Sequence, residues 1–230
     1  KKCNFFLKKI KLYSDKDFSP IMNPDREEFL TSQSINKISN FKYLGDKANF
    51  LKQIKKDCSF FRSVMLNKKI LNLLSKIKKK KISALMSQML FKEKQTKYSK
   101  QSWLPHQDNS YPKNKNGNYI TINIFLNKAS KKNGSLFIYE KSHTFGIFKY
   151  TRKISYREKD SKPGNFIDTK KFKKIDLNFN VGDMLILHGN LVHGSYPNHS
   201  NTSRPLYSIS YITKNEKFIS GLNAQRKVLN

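Results

Sequence analysis

The chain has 230 residues, of which 37% are hydrophobic and 13% are aromatic. No apolar run approaches the roughly 20 residues that a membrane span needs, and the run 5–7 is too short for a signal-peptide core. Cys3 and Cys58 are the only cysteines, which is too few for a disulfide framework or a cysteine-based zinc site. We therefore expect a cytoplasmic protein without a membrane span.

The charge is strongly basic, with 46 Lys and Arg against 16 Asp and Glu, a formal net charge of +30. The excess is spread along the chain, and Arg, the better residue for reading bases and binding phosphate, is scarce. This pattern favours biased residue usage over a dedicated nucleic-acid surface. Attraction for an anionic partner or substrate stays open, with residues 78–81 and 170–174 as candidate patches.

The chain lacks a Pro, Gly or Ser-rich linker, so one domain is predicted. Residues 1–82 are expected to form a helical extension, since apolar residues recur at helical spacing between about 50 and 82. That stripe comprises Leu66, Ile70, Leu73, Leu74 and Ile77. Residues 83–213 are expected to form the core, with 145–180 as an insertion or lid and 214–230 as a C-terminal tail.

From Ser83 onward the apolar period changes to two, which indicates strands. Further strands are predicted at 119–126, 135–139, 184–188 and 206–213, with polar turns between them. Helices followed by short strands predict a mainly β protein with flanking helices, built on a double-stranded β-helix (jelly roll, cupin-like) core.

Two short segments carry residues suited to metal chemistry. His106 and Asp108 stand two apart, which on an extended strand would place both side chains on one face. His193 would add a distant second imidazole, completing the two-His, one-carboxylate triad of non-haem Fe(II) oxygenases. Arg204 would point into the same interior, where a buried guanidinium calls for an anion such as a carboxylate.

With these motifs the chain resembles the phytanoyl-CoA dioxygenase family of Fe(II)- and 2-oxoglutarate-dependent oxygenases. The resemblance covers about 83–213 and rests on HQDNSY from His106, ITINIFLNKASKKNGSLFIYEKSH from Ile120, VGDMLILHGNLVHGSYPN from Val181, and the Arg of SRPLYSISY. It implies that His106, Asp108 and His193 bind iron and that Arg204 binds the far carboxylate of 2-oxoglutarate.

The resemblance also implies weaker correspondences in the co-substrate pocket. Ser195, two residues after the second metal histidine, matches a residue that helps to hold 2-oxoglutarate. Lys92 and Gln88 resemble co-substrate contacts on the first core strand. Asn123 stands where the family often has Trp, so we expect the pocket to grip 2-oxoglutarate or substrate differently here.

Several residues compete with these assignments. His188 is five residues before His193, and on a continuous strand the two would face opposite sides; His193 is preferred as the ligand. His143 and His199 are interpreted as loop or supporting residues. Trp103 and Tyr111 flank the metal motif and would either line a substrate pocket or simply pack.

The resemblance implies hydroxylation of a small molecule, with Fe(II), O₂ and 2-oxoglutarate consumed to give succinate and CO₂. Halogenating relatives carry a small residue where this chain has Asp108, so hydroxylation is favoured. The lysines weakly favour an anionic substrate. Two alternatives stay open: a non-catalytic basic jelly-roll module that binds nucleic acid or another polyanion, and an oxygenase that acts on a macromolecule.

Overall fold

The structure, a computed structural model, describes residues 1–5, 21–27, 47–95, 99–100, 102–149, 167–221 and 225–229. The expected N-terminal extension is therefore described in part. Of the expected insertion at 145–180, residues 150–166 lie outside the described ranges. No helix in these ranges is both long and apolar enough to cross a membrane.

The segment predicted to be helical between about 50 and 82 contains two helices, α1 (Lys47–Met65) and α2 (Lys68–Lys78). Asn67 separates them, because its side-chain oxygen caps α2 by accepting from the Lys69 amide at 3.0 Å. Within α2, Leu74 is buried whereas Leu73 and Ile77 are 41% and 54% exposed. For these two residues the predicted stripe was wrong.

The described residues form nine strands in two antiparallel sheets. They are β1 (Ile21–Met22), β2 (Ile82–Leu90), β3 (Trp103–His106), β4 (Tyr119–Phe125), β5 (Leu136–Tyr139), β6 (Lys174–Asp176), β7 (Met184–His188), β8 (His193–Ser195) and β9 (Leu206–Thr213). The larger sheet has the order β1-β2-β9-β4-β7 and the smaller one β3-β8-β5-β6. The predicted jelly-roll class and the four strands at β4, β5, β7 and β9 are confirmed.

The central strand β9 shows which sheet face is which. Tyr207 and Tyr211 point towards the helices, and their hydroxyls donate to the carbonyls of Phe61 at 3.3 Å and Met65 at 3.0 Å. On the opposite face, Leu206, Ser208, Ser210 and Ile212 point between the two sheets. Small polar side chains on this inner face leave room for a polar pocket inside the jelly roll.

Candidate functional site

The smaller sheet brings two distant histidines together. His106 ends β3 and is the antiparallel partner of His193, the first residue of β8, and their ring centroids are 4.5 Å apart. Asp108 lies in the 3-10 turn Asp108–Ser110 directly after β3, not on the strand itself. Its Oδ1 is 3.7 Å from His106 Nε2 and 3.6 Å from His193 Nε2. The turn therefore brings Asp108 to the same side as His106, as was expected for an extended strand.

The backbone fixes which ring nitrogen of each histidine faces Asp108. His106 Nδ1 lies 2.7 Å from the Leu104 carbonyl and His193 Nδ1 lies 3.0 Å from the Leu191 carbonyl. A carbonyl oxygen can only accept, so each Nδ1 carries a proton, and in the tautomer with that proton alone the lone pair is on Nε2. Burial lowers the pKa of His106 to about 4, which keeps that ring neutral at pH 7.

Asp108 is prepared to act through one oxygen. Its Oδ2 accepts a 2.6 Å hydrogen bond from Thr121 Oγ1, while Oδ1 faces both imidazoles. Burial alone raises the pKa of the carboxyl, but His193, His106 and the Thr121 hydroxyl outweigh it and lower the pKa below its ordinary value. The carboxylate is therefore ionised at neutral pH.

These three residues fit a divalent metal ion. Within the described part of the chain, they are the group of potential ligand atoms that could hold one, with all the atoms within 4.8 Å of one another. Two neutral imidazoles and one carboxylate are the donors of the facial triad found in non-haem Fe(II) oxygenases, which leaves other coordination positions open. Thr121, which orients the carboxylate, was missed by the sequence reasoning, because it lies 13 residues from Asp108 with no motif linking the two.

Next to His193, two buried cations share one pocket. Lys92 is 2% exposed, and its ammonium group donates to Ser195 Oγ at 2.8 Å and to the Tyr196 carbonyl. Arg204, also 2% exposed, donates from Nε to the Gly134 carbonyl at 3.0 Å. Gly134 has φ +89°, and a Cβ there would lie 2.6 Å from Lys92 Cδ, so glycine is required for this packing.

This pocket fits an anion. Burial lowers the pKa of Lys92 well below its usual value, with the nearby Arg204 charge adding to the effect, and burial lowers the pKa of Arg204 to about 9. The described residues supply no hydrogen-bond partner to the buried Nη1 of Arg204. Two buried cations side by side are costly unless an anion joins them, and a carboxylate matches the guanidinium fork.

Gln88 and Asn123 lie farther along the inner face of the larger sheet. Both are register partners of Ser208 on β9, one from each side. Asn123 is buried and Gln88 is half-buried. The structure therefore places the two in one polar row across three strands, beside the row that contains Thr121 and Ser210.

The other histidines lie elsewhere. His188 is 5.2 Å from His143, ring centroid to ring centroid, and burial, with Lys78 and His143 nearby, lowers the pKa of His188 to about 4. His199 is an exposed loop residue whose amide donates to the Lys132 carbonyl at 3.1 Å. None of them belongs to the group formed with Asp108.

Aromatic and amide side chains surround the metal motif. The Trp103 ring is 6.0 Å from the His106 ring, and Tyr111 is 38% exposed. Gln107, fully buried, joins the motif to the loop after the 3-10 turn Ser142–Phe145. Its side chain donates to the Gly146 carbonyl at 2.7 Å and accepts from the Phe148 amide at 2.8 Å. The sequence reasoning did not single out Gln107, since a glutamine between two metal ligands carries no signal of its own.

The chain is similar to known proteins in sequence and in fold. The sequence profile of the phytanoyl-CoA dioxygenase family matches residues 9–206, which is most of the chain.

Individual relatives are distant. Phytanoyl-CoA dioxygenase 1 of Oryza sativa subsp. japonica is 26% identical over 152 residues, 66% of this chain and 52% of that protein. Phytanoyl-CoA dioxygenase of Arabidopsis thaliana is 28% identical over 109 residues, 47% of this chain and 38% of that protein. The chain thus matches about half or less of the length of these curated relatives.

Among solved structures, the epimerase SnoN in complex with Fe³⁺, α-ketoglutarate and nogalamycin RO has a similar fold. Its TM-score is 0.59 at 13% identity, over 91% of this chain and 90% of that one. At this identity the likeness concerns the fold.

Proposed function

Since the chain belongs to the phytanoyl-CoA dioxygenase family, we propose that it is an Fe(II)- and 2-oxoglutarate-dependent dioxygenase that hydroxylates a small molecule. Succinate and CO₂ would be the other products. One observation carries the proposal: the candidate metal ligands are buried beside two cations, Lys92 and Arg204, to which the described residues offer no carboxylate. The two groups are adjacent because Lys92 bonds to Ser195, two residues from His193.

His106, Asp108 and His193 would hold the iron, which when bound supplies the activation of O₂ for attack on a C–H bond. Before binding, both histidines already direct Nε2 towards Asp108, because each Nδ1 proton is held by a backbone carbonyl. Thr121 holds Oδ2 of Asp108 and so favours ligation through Oδ1. Little rearrangement is needed when the metal enters.

Arg204 and Lys92 would bind 2-oxoglutarate. Arg204 offers its unpartnered Nη1 to the far carboxylate, and Lys92 adds a second positive charge. Ser195 Oγ already accepts from Lys92, which leaves its own proton free to donate to the same carboxylate. Because these groups are buried, water competes little with the anion.

The proposal is tested by anaerobic addition of Fe(II) and 2-oxoglutarate to the purified protein. Chelation of the metal by the keto acid gives a visible charge-transfer band, and we expect that band in the wild type. His193→Ala should abolish it together with succinate release, because one of three metal ligands is lost.

His188→Ala is the matched control, since it removes the same side chain five residues away, outside the candidate metal group. We expect this variant to keep the band. The absence of a band in the wild type, or its persistence in His193→Ala, would contradict the proposal.

A further inference from the structure

Besides Lys92 and Arg204, a third cation near the candidate site is Arg226, which lies in the C-terminal segment. That segment returns to the core after residue 221: the Leu229 amide donates to the Ala84 carbonyl at 2.8 Å and the Lys227 amide donates to the Leu85 carbonyl at 3.3 Å. Ser220 holds Arg226, because its hydroxyl donates to the Arg226 carbonyl at 2.8 Å. The tail thus fixes Arg226 against the start of β2.

The guanidinium of Arg226 lies over a tyrosine of the inner sheet face. Its Cζ is 5.9 Å from the centroid of the Tyr119 ring, and its Nε donates to the Tyr119 hydroxyl at 3.4 Å. Tyr119 in turn donates to Ser210 Oγ at 2.6 Å. The cation–π contact and the hydrogen bond together orient the guanidinium.

This position is next to the candidate metal centre. Tyr119 precedes Thr121 by two residues on β4, which puts both side chains on one face about 7 Å apart along the strand. Thr121 is the residue that donates to Asp108, and Arg226 donates to Tyr119, so Arg226 and Asp108 contact neighbouring inner-face residues of one strand. A molecule between Arg226 and Asp108 would therefore reach the metal.

The charge of Arg226 is not neutralised by a carboxylate among the described residues. Of the residues that the structure describes, no carboxylate lies within ion-pair distance of its guanidinium. Arg226 also lies away from the pocket of Arg204. The Tyr119 hydroxyl that it contacts donates to Ser210, whereas Arg204 precedes Leu206, the first residue of β9, and Leu206 and Ser210 are about 13 Å apart on a strand. The two arginines would therefore bind different anions.

We propose that Arg226 is the substrate-binding residue that selects small molecules with a carboxylate or phosphate-type group, placing a carbon a short chain away at the metal. The inference rests on the proposed function and names its substrate class. Ser210, which accepts from Tyr119 and lies opposite Thr121, would contact the chain between the anionic group and the reacting carbon.

The test measures anion binding through Trp103, the only tryptophan, whose ring is 6.0 Å from the His106 ring. The protein is titrated with hexanoate, hexylphosphonate and the neutral hexanamide. Zn(II) and 2-oxoglutarate are present throughout, to fill the candidate metal site and the pocket of Lys92 and Arg204. We expect Arg226→Gln to weaken binding of one or both anions about tenfold or more and to leave hexanamide unchanged. The affinity of Arg226→Lys for the anions should lie between those of the wild type and Arg226→Gln. Comparing hexanoate with hexylphosphonate shows whether the site prefers a carboxylate or a phosphate-type group.

Lys227→Gln is the control, because it removes the same charge from the adjacent, exposed residue; it should bind like the wild type. Thermal unfolding of each variant checks that the tail still packs. If Arg226→Gln binds the anions as tightly as Lys227→Gln, or if the wild type binds hexanamide as well as hexanoate, Arg226 only seals the end of the barrel. Failure of the proposed function would show separately, as a missing Fe(II) band with the Arg226 effect intact.

Discussion

At Lys92, ligand binding and folding stability oppose each other. The side chain is 2% exposed and its charge faces that of Arg204, and burial is the main reason that its pKa is lowered. The unfolded chain therefore holds the Lys92 proton more tightly than the folded one. Between the lowered pKa and the ordinary one, stability rises with pH, and below that window the charged lysine costs stability. A bound dicarboxylate would offset this cost.

We predict that Lys92→Met makes the ligand-free protein more stable and 2-oxoglutarate binding weaker. Replacing a buried charge by a side chain of similar length removes a desolvation cost of about 1 kcal/mol or more, so Tm should rise by roughly 2–4 °C. Loss of the charge should weaken 2-oxoglutarate binding at least about tenfold. Calorimetric unfolding and titration calorimetry measure the two effects.

Lys94→Met serves as the control for Lys92→Met, since Lys94 is exposed two residues further along. It should change neither quantity appreciably. Wild-type affinity for 2-oxoglutarate in Lys92→Met would show that Arg204 binds the co-substrate without it.

At the scale of elements, one carboxylate fastens the C-terminal segment to the loop after the metal motif. Glu216 accepts from the side-chain amides of Asn114 at 3.1 Å, Asn116 at 2.8 Å and Asn118 at 2.7 Å, and Lys80 is 3.6 Å away. Burial by itself raises the pKa of Glu216, but the amide donors prevail and lower it to about 2. This clasp begins the segment that later carries Arg226.

The Glu216 clasp predicts a pH-dependent difference between the wild type and Glu216→Gln. A carboxylate whose pKa is lower in the folded state stabilises above its unfolded pKa, and the contribution is lost as pH falls through the folded value. Glu216→Gln should therefore lower Tm by at least about 2 °C at pH 5–7. The difference should shrink between pH 4.5 and 2, the window set by the ordinary and lowered pKa values.

Asn116→Ala, which removes a single exposed donor, should produce a smaller effect with the same pH dependence. A Tm difference for Glu216→Gln that stays constant down to pH 2 would contradict the clasp. Calorimetric scans at matched ionic strength measure all three proteins.

The elements that the sequence predicted best are those with strong period-two patterns, such as β4 and β9, whose inner and outer faces alternate as expected. Strands of three or four residues, such as β3, β6 and β8, are too short to show a period, and β6 lies within the range expected to be an insertion. His106 and Asp108 could be proposed as ligands from the sequence because they stand two residues apart and match a family motif. Thr121 and Arg226 could not be, because only the fold brings Thr121 to Asp108 and Arg226 to Tyr119.

For the whole molecule, the net charge of +30 must be reconciled with a compact fold. Lysines of the two candidate patches make local contacts: Lys78 donates to the Gly117 carbonyl at 3.0 Å, and Lys171 and Lys174 lie 4.4 and 3.9 Å from the ring centroids of Phe145 and Phe137. Such contacts agree with biased residue usage accommodated by the fold. The uncompensated charge elsewhere should repel itself at low salt.

We therefore predict that the protein becomes more stable as salt increases. Between 20 and 300 mM NaCl the screening length falls from about 20 Å to about 6 Å, which weakens repulsion between distant lysines, so Tm should rise by several degrees.

Changing Lys52, Lys55 and Lys56, exposed residues of α1, to Glu lowers the net charge from +30 to +24, since each change removes two charges. This variant should be more stable than the wild type at 20 mM NaCl and respond less to salt, whereas the same three lysines changed to Arg should behave like the wild type. A salt response that is equal in the Glu and Arg variants would mean that the lysine charge is already balanced locally. The net charge would then no longer favour binding of an anionic macromolecule.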